Sequence, residues 1–257
     1  MRAAQQWRAF LTLLGKEVGR VFRIWTQTLL PSAITMTLYF VIFGSFIGDR
    51  IQDMQGHSYV AFIVPGLIMM AVLTNSYANV SSSFFGNKFQ KSIEELLVSP
   101  MPSWLIVAGY TAGGMARGLI VGAIVTAISL FFVPLQVHAW SVIVVFVVLT
   151  SAVFSLAGLL NGIYARKFDD VSIVPTFVLT PLTYLGGVFY SVTLLPLVWQ
   201  QISRLNPILY MVNGFRYGFL GISDVPVAGG LMILITLCLG LLVLDVYLIE
   251  KGVRLKS

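Results

Sequence analysis

The chain has 257 residues, of which 58% are hydrophobic and 10% are charged, with a mean hydropathy of +0.90 and a formal net charge of +6. Soluble domains carry about 25% charged residues, so this composition excludes a soluble globular protein and predicts an integral membrane protein. The basic excess does not indicate nucleic acid as a partner, because a membrane protein with basic loops has the same balance.

The N-terminal segment, residues 1–26, predicts an amphipathic helix in the membrane interface. Apolar side chains recur every three or four residues on one helix face, and Lys16, Arg20 and Arg23 fall on the opposite face. A basic amphipathic helix of this kind lies against anionic lipid head groups. A solvated helix packed on another domain is the alternative. The apolar set is Trp7, Phe10, Leu11, Leu14, Val18, Val21, Phe22 and Trp25.

Six apolar runs are long enough to cross a bilayer, which takes about 20 residues of helix. Backbone groups in lipid must be satisfied within the segment, so each run is expected to be helical. The sequence therefore predicts an all-α membrane protein of one domain, residues 1–257, with six transmembrane helices within 27–249. The runs cover roughly 27–47, 59–82, 105–133, 141–164, 172–195 and 227–249.

Basic residues indicate the side of the membrane on which each loop lies. Six spans place twelve of them on one side and three on the other. The positive-inside rule then puts both termini, including the tail 250–257, in the cytoplasm. The twelve are Arg2, Arg8, Lys16, Arg20, Arg23, Lys88, Lys91, Arg166, Lys167, Lys251, Arg254 and Lys256, against Arg50, Arg204 and Arg216.

The segment NKFQKSIEELLVSP, after the second span, predicts a short cytoplasmic helix. Asn87 is a good N-cap with Gln90 three residues later, as in a capping box, and the prolines that follow stop the helix. Lys91 can pair with Glu95 one turn on. The residues alone allow a plain interfacial connector or a docking element for a cytoplasmic partner. The mixed-charge loop 166–170 is either a solvated turn or a second contact for that partner.

Several polar residues lie inside the predicted spans. Asn75 and Asn79 share one face of the second span, where they either bind helices together or line a translocation route. Arg117 in the third span and Asp245 in the sixth are costly in lipid. We expect these two either to pair or share a polar cavity, or each to reach the interface separately. A stripe of small residues in the third span predicts close helix packing: Gly114, Gly118 and Gly122.

Motifs for catalysis are absent from the sequence. It has no G-x-x-x-x-G-K-[ST], no H-E-x-x-H, no C-x-x-C and no G-x-S-x-G. Cys238 lies in an apolar run, and His57 and His138 lie in separate loops, so neither a disulfide nor a metal site is predicted. We therefore predict a non-enzymatic chain without catalytic residues or a cofactor of its own, and transport as its general role.

Residues 189–225 are mostly apolar, but they contain too many polar residues to cross lipid as a helix. Asn206, Asn213 and Arg216 interrupt the segment, and prolines and the pair Gly186-Gly187 break the helix before it. We expect short re-entrant helices at the outer interface, the depth that its tyrosines favour.

At these residues the sequence resembles the ABC-2 type permease family, the membrane subunits of one class of ABC exporters. The resemblance extends over the whole chain, from the amphipathic start to the segment after the fifth span. The motif residues are Pro181, Gly186, Gly187, Leu195, Pro196, Pro207, Ile208, Leu209, Tyr210 and Arg216.

The resemblance implies a coupling helix, residues 88–98, that docks into a separate P-loop ATPase subunit, which binds ATP and Mg. It further implies a second permease copy, most simply a homodimer, in the bacterial inner membrane, with spans 2 and 5 at the central interface. Lipids, glycans or hydrophobic compounds would be exported. A secondary transporter or channel independent of ATP, or a membrane anchor of an enzyme complex, remains the alternative. The implied coupling residues are Lys88, Lys91, Glu94, Glu95 and Leu96.

Overall fold

A computed structural model describes residues 3–46, 48 and 53–255. Arg2, Arg50 and Lys256, which entered the charge count, lie outside the described residues. Within these residues the regular structure is helical and no strand occurs, which confirms the all-α prediction. The α-helices are α1 (Ala3–Arg23), α2 (Trp25–Thr28), α3 (Leu30–Phe40), α4 (Tyr59–Phe89), α5 (Ser92–Val98), α6 (Ser103–Ser129), α7 (Trp140–Tyr164), α8 (Phe168–Val174), α9 (Thr180–Leu185), α10 (Leu197–Arg204), α11 (Pro207–Leu220) and α12 (Val227–Glu250).

Five described segments are long and apolar enough to cross a membrane: Trp25–Gly44, Tyr59–Phe89, Ser103–Ser129, Trp140–Tyr164 and Val227–Glu250. They correspond to five of the six predicted runs. The second is longer than the predicted 59–82, since α4 continues to Phe89.

The predicted fifth span, 172–195, is not one straight helix. α8 passes into a π-helical turn, Pro175–Leu179, and α9 then ends at Leu185. Pro175 removes a backbone donor, and the π-helical turn begins at this residue. Gly187 follows at φ +70°, a left-handed conformation that glycine adopts without strain, and turns the chain away from the helix axis.

α4 lies at the centre of the molecule, packed between α6 and α7. The small-residue stripe of α6 faces it: a Cβ atom at any of the three positions would collide with Val80, Ser76 or Val72 of α4. This confirms the predicted close packing. The three are Gly114, Gly118 and Gly122.

α1 is amphipathic, as predicted, and packs along α6. Its buried face is narrow: Leu13, Glu17 and Val21. Trp7 and Phe22 are 61% and 54% exposed. The apolar stripe of α1 is thus wider than the part of it that packs against other helices, and its outer residues are exposed.

Candidate functional site

The predicted coupling region forms a sharp turn followed by a seven-residue helix. Lys91 takes φ +60° between α4 and α5. The predicted cap at Asn87 is wrong, because this residue lies inside the last turn of α4 and its amide donates to the Tyr110 hydroxyl at 2.6 Å. A tertiary hydrogen bond across to α6 holds the side chain that a local cap would have used. The new helix starts four residues later than predicted, at Ser92.

α5 is anchored on one side and open on the other. Ile93 is 1% exposed and packs in an apolar cluster with residues of α6 and α7, and Leu96 lies against the same cluster. Glu94 and Glu95 are exposed, and Val98 is 87% exposed. No ion pair joins Lys91 to Glu95, both of which are described, because Lys91 lies in the turn before the helix. Of the predicted coupling residues, α5 therefore presents the two carboxylates outward.

Lys88 lies in α4 and stabilises the end of α7, whereas it was predicted to belong to the coupling helix. Its Nζ donates to the carbonyl oxygens of Ile163 at 2.6 Å and Ala165 at 2.9 Å, at the carboxyl end of α7. A cation stabilises the unpaired carbonyl groups and the negative dipole at this end of a helix. Arg254, in the C-terminal tail, donates to the carbonyl oxygen of Tyr164 at 3.3 Å. The ends of α4, α7 and α12 are thus joined beside α5.

The loop between α7 and α8 is held by Asp170. One carboxylate oxygen accepts the backbone N–H groups of Arg166 at 2.8 Å and Lys167 at 3.1 Å. These two donors lower the pKa of Asp170 below its ordinary value. The predicted mixed-charge loop is therefore ordered and starts α8, and a contact between this turn and a cytoplasmic partner stays a prediction.

Arg117 and Asp245 do not pair, so that hypothesis is wrong. Arg117 donates to Asn75 Oδ1 at 3.0 Å and to the carbonyl oxygen of Thr28 at 3.4 Å. Asp245 is fully buried on α12, and neither carboxylate oxygen has a hydrogen-bond partner among the described residues. Hydropathy shows that both residues lie within spans, but it does not give the direction in which each faces.

Asn75 and Asn79 bind helices together. Asn75 also donates to Ser32 Oγ of α3 at 3.0 Å. Asn79 accepts from Arg20 of α1, whose Nη2 lies 2.9 Å from both its side-chain and its backbone oxygen. Of the two roles proposed for these amides, the contacts fit the joining of α4 to its neighbours.

Glu17 is a buried residue that the sequence analysis missed. It is 1% exposed, accepts from Ser83 Oγ at 2.8 Å, and lies 3.4 Å from Arg20 Nη2. One signal was available: Glu17 stands four residues from both Leu13 and Val21, so it interrupts the buried stripe of α1.

The family motif residues meet at the opposite end of the molecule. Arg216 is 1% exposed; its Nη2 donates to the carbonyl oxygen of Gly187 at 2.7 Å, and its Nε donates to that of Phe62 at 3.2 Å. The guanidinium lies 3.9 Å from the centre of the Phe62 ring. Gly186 packs against Ile208. These residues thus join the turn after α9 to α4 and α11.

The remaining motif residues shape the short helices beyond this turn. Pro196 immediately precedes α10, and Pro207 is the first residue of α11. The Tyr210 hydroxyl donates to the carbonyl oxygen of Arg204 at 2.9 Å, which links the two helices. Nearby, Asp224 accepts from Gln55 at 2.8 Å and from Ser191 at 2.7 Å. Sequence patterns gave no sign of this second junction.

Comparisons with known proteins agree with the motif resemblance. Residues 8–220 match the family model described as ABC-2 type transporter. The chain is 62% identical to the inner membrane transport permease YadH of Escherichia coli (strain K12) over 251 residues, 98% of each chain. It is 24% identical over 238 residues to Nodulation protein J of Rhizobium leguminosarum bv. viciae, with 90% of this chain and 87% of that one covered. Nodulation protein J of Neorhizobium galegae is 27% identical over 210 residues, 79% of each chain.

Proposed function

This chain belongs to the ABC-2 type transporter family, and we propose that it is the permease subunit of an ABC exporter driven by a separate P-loop ATPase. The ATPase binds ATP and Mg, and this chain supplies the membrane path. A lipid, a glycan or a hydrophobic compound is the exported substrate.

The observation that carries this proposal is the geometry of α5. A helix of seven residues is too short to be stable alone, so its position depends on the anchor Ile93 and on the junction of α4 with α7. Its outer face, with Glu95 and Val98, is exposed, and no other part of the described chain covers it. A docked ATPase would use that face, and a force on it would reach α4 directly.

The proposed topology has six spans with both termini in the cytoplasm. The fifth crossing is the broken segment 172–195, which begins inside α8 after Asp170 and includes α9, and 189–225 form the re-entrant segment. Two junctions support this arrangement: Lys88, Ala165 and Arg254 bring three basic segments to one end, whereas Gln55 and Asp224 bring loops together at the other. Each set of loops then lies on the side that the charge count gives it.

A second copy is proposed to pack on the face between α4 and α8–α9, where the route across the membrane would run. A groove of about 130 Å³ lies there and carries the hydroxyl groups of Thr74, Thr180 and Thr183. Phe177 beside it is 73% exposed.

The test uses the permease co-expressed with its ATPase and reconstituted in vesicles. The double variant Glu95→Arg/Val98→Asp should lose ATPase co-purification and ATP-dependent transport, while its expression and unfolding temperature stay unchanged. The matched control, Asp53→Arg, reverses an exposed acid at the opposite end. Transport without nucleotide would support the secondary-transporter alternative and overturn the proposal, as would an unaffected double variant.

A further inference from the structure

The end of the molecule that carries α5 has a groove of about 380 Å³, beside the outer face of α5 that the proposed function assigns to the ATPase. We call it the basic groove. Among the described residues that line it, four are cations and one, Glu94, is an acid. The cations are Lys88, Lys91, Arg166 and Arg254.

We propose that the basic groove binds the phosphate group of an anionic membrane lipid. The four cations come from three separate segments of the chain: the stretch 88–91 at the end of α4 and in the turn before α5, the α7–α8 loop and the C-terminal tail. Like charges gathered in one partly enclosed groove repel each other, and a bound anion removes that cost.

Two of these cations are fixed and two are available. Lys88 and Arg254 are held by carbonyl oxygens at the end of α7. The side chains of Lys91 and Arg166 form no hydrogen bond or ion pair with the described residues. A phosphate accepts charge-assisted hydrogen bonds from both an ammonium and a guanidinium.

The depth of the groove matches that of lipid head groups. α4 has 31 residues and α7 has 25, so they are about 46 Å and 38 Å long. A bilayer with its head groups is about 40–45 Å thick. Lys88 and Tyr164, at the ends of these two helices, therefore lie near the head-group layer, and basic pockets between helices at this level on the cytoplasmic side suit anionic lipids.

The rim of the groove favours a lipid over free phosphate. Phe89 and Phe168 are 62% and 59% exposed, with ring centres 4.9 Å apart. Rings at this level suit the apolar part of a lipid, whereas a soluble phosphate would make no use of them. The inference rests on the proposed topology for its sidedness and needs no ATPase.

The test measures lipid retained by the full-length chain in mild detergent, by native mass spectrometry, during titration with phosphatidylglycerol or phosphatidylcholine. One phosphatidylglycerol should bind selectively, and Lys91→Asn/Arg166→Gln should weaken it by about tenfold or more. Asparagine tolerates the left-handed conformation at position 91, so the turn is kept. The control Arg204→Gln removes a cation from an exposed position of α10, at the opposite end of the molecule, and should leave this binding unchanged.

Three results would overturn the proposal. Equal retention of phosphatidylglycerol by the groove variant and the control would show that no discrete site exists there. If millimolar inorganic phosphate displaced the bound lipid as effectively as added lipid does, the groove would be assigned to a soluble anion. Loss of ATPase co-purification with unchanged lipid retention would make it a protein-docking surface. Because lipid retention is measured without the ATPase, failure of this inference leaves the proposed function standing.

Discussion

Glu17 provides the sharpest test of how α1 is held to the membrane helices. In Glu17→Ala, the Ser83 hydroxyl loses its acceptor and Arg20 loses its carboxylate, both in partly or fully buried positions. Breaking one partner of a buried ion pair typically costs about 3–5 kcal/mol, and Arg20 keeps its bonds to Asn79, so we expect about 2–3 kcal/mol. For a chain of this size that corresponds to a fall of about 4–12 °C in unfolding temperature, measured in detergent by a thermal shift.

One further variant separates the contribution of the ion pair from that of the hydrogen bond, and a second serves as the control. Glu17→Gln keeps the side-chain size and an acceptor for Ser83, so it should lose only about 1 kcal/mol. Lys16→Ala, the exposed neighbour on the same helix, should change stability by less than about 0.5 kcal/mol. If Glu17→Ala lowers stability no more than Lys16→Ala does, the buried network does not hold α1, and our reasoning fails.

Three other substitutions test separate parts of the structure. Gly118→Ala should destabilise by about 1–3 kcal/mol in the same thermal assay, because its Cβ would meet α4, whereas Gly240→Ala, with open space around it, should be neutral or slightly stabilising; equal effects would contradict the packing. Arg216→Lys should cost about 2 kcal/mol or more, because the two bonds come from different nitrogen atoms of a planar guanidinium that also lies over the Phe62 ring, and an unchanged unfolding temperature would refute that role. The pKa of Asp170 lies below its ordinary value of 3.8, so its stabilising effect is complete above that value and disappears as the pH falls through the lower, folded pKa. Hydrogen exchange in the α7–α8 loop should therefore accelerate in acid, and Asp170→Asn should abolish that dependence on pH.

Hydropathy and periodicity predicted the all-α fold and five of its long apolar segments, but not the contacts between helices. Apolar length located α6, α7 and α12 within about four residues, because the bilayer sets that length. It gave the start of α4 but not its end, which lies seven residues beyond the predicted one. The break after Pro175 was foreseen from prolines and glycines, whereas its form, a π turn and an end at Leu185, depends on neighbouring helices.

The errors share one physical cause. Asn87 has the local sequence signal of an N-cap, but its side chain instead donates a hydrogen bond to Tyr110, 23 residues away. Arg117 and Asp245 were placed inside spans from their sequence context, but their partners depend on the rotation of each helix about its own axis. From one sequence, composition predicts how deep a residue lies in the membrane, and periodicity predicts which face of a helix is apolar. Neither shows which neighbouring helix that face contacts.

α4 is one uninterrupted rod, about 46 Å long by its 31 residues, and its single proline, Pro65, lies in its second turn. Its α5 end is fastened to α7 by Lys88, and its far end touches Arg216 through Phe62 and the chain at Phe189 through the Tyr59 hydroxyl. A rod of this length that tilts by about 5° about one end moves the other by about 4 Å. A small rotation imposed at the α5 end would therefore be magnified into a displacement of several ångströms beside Arg216, with no bending of the helix between.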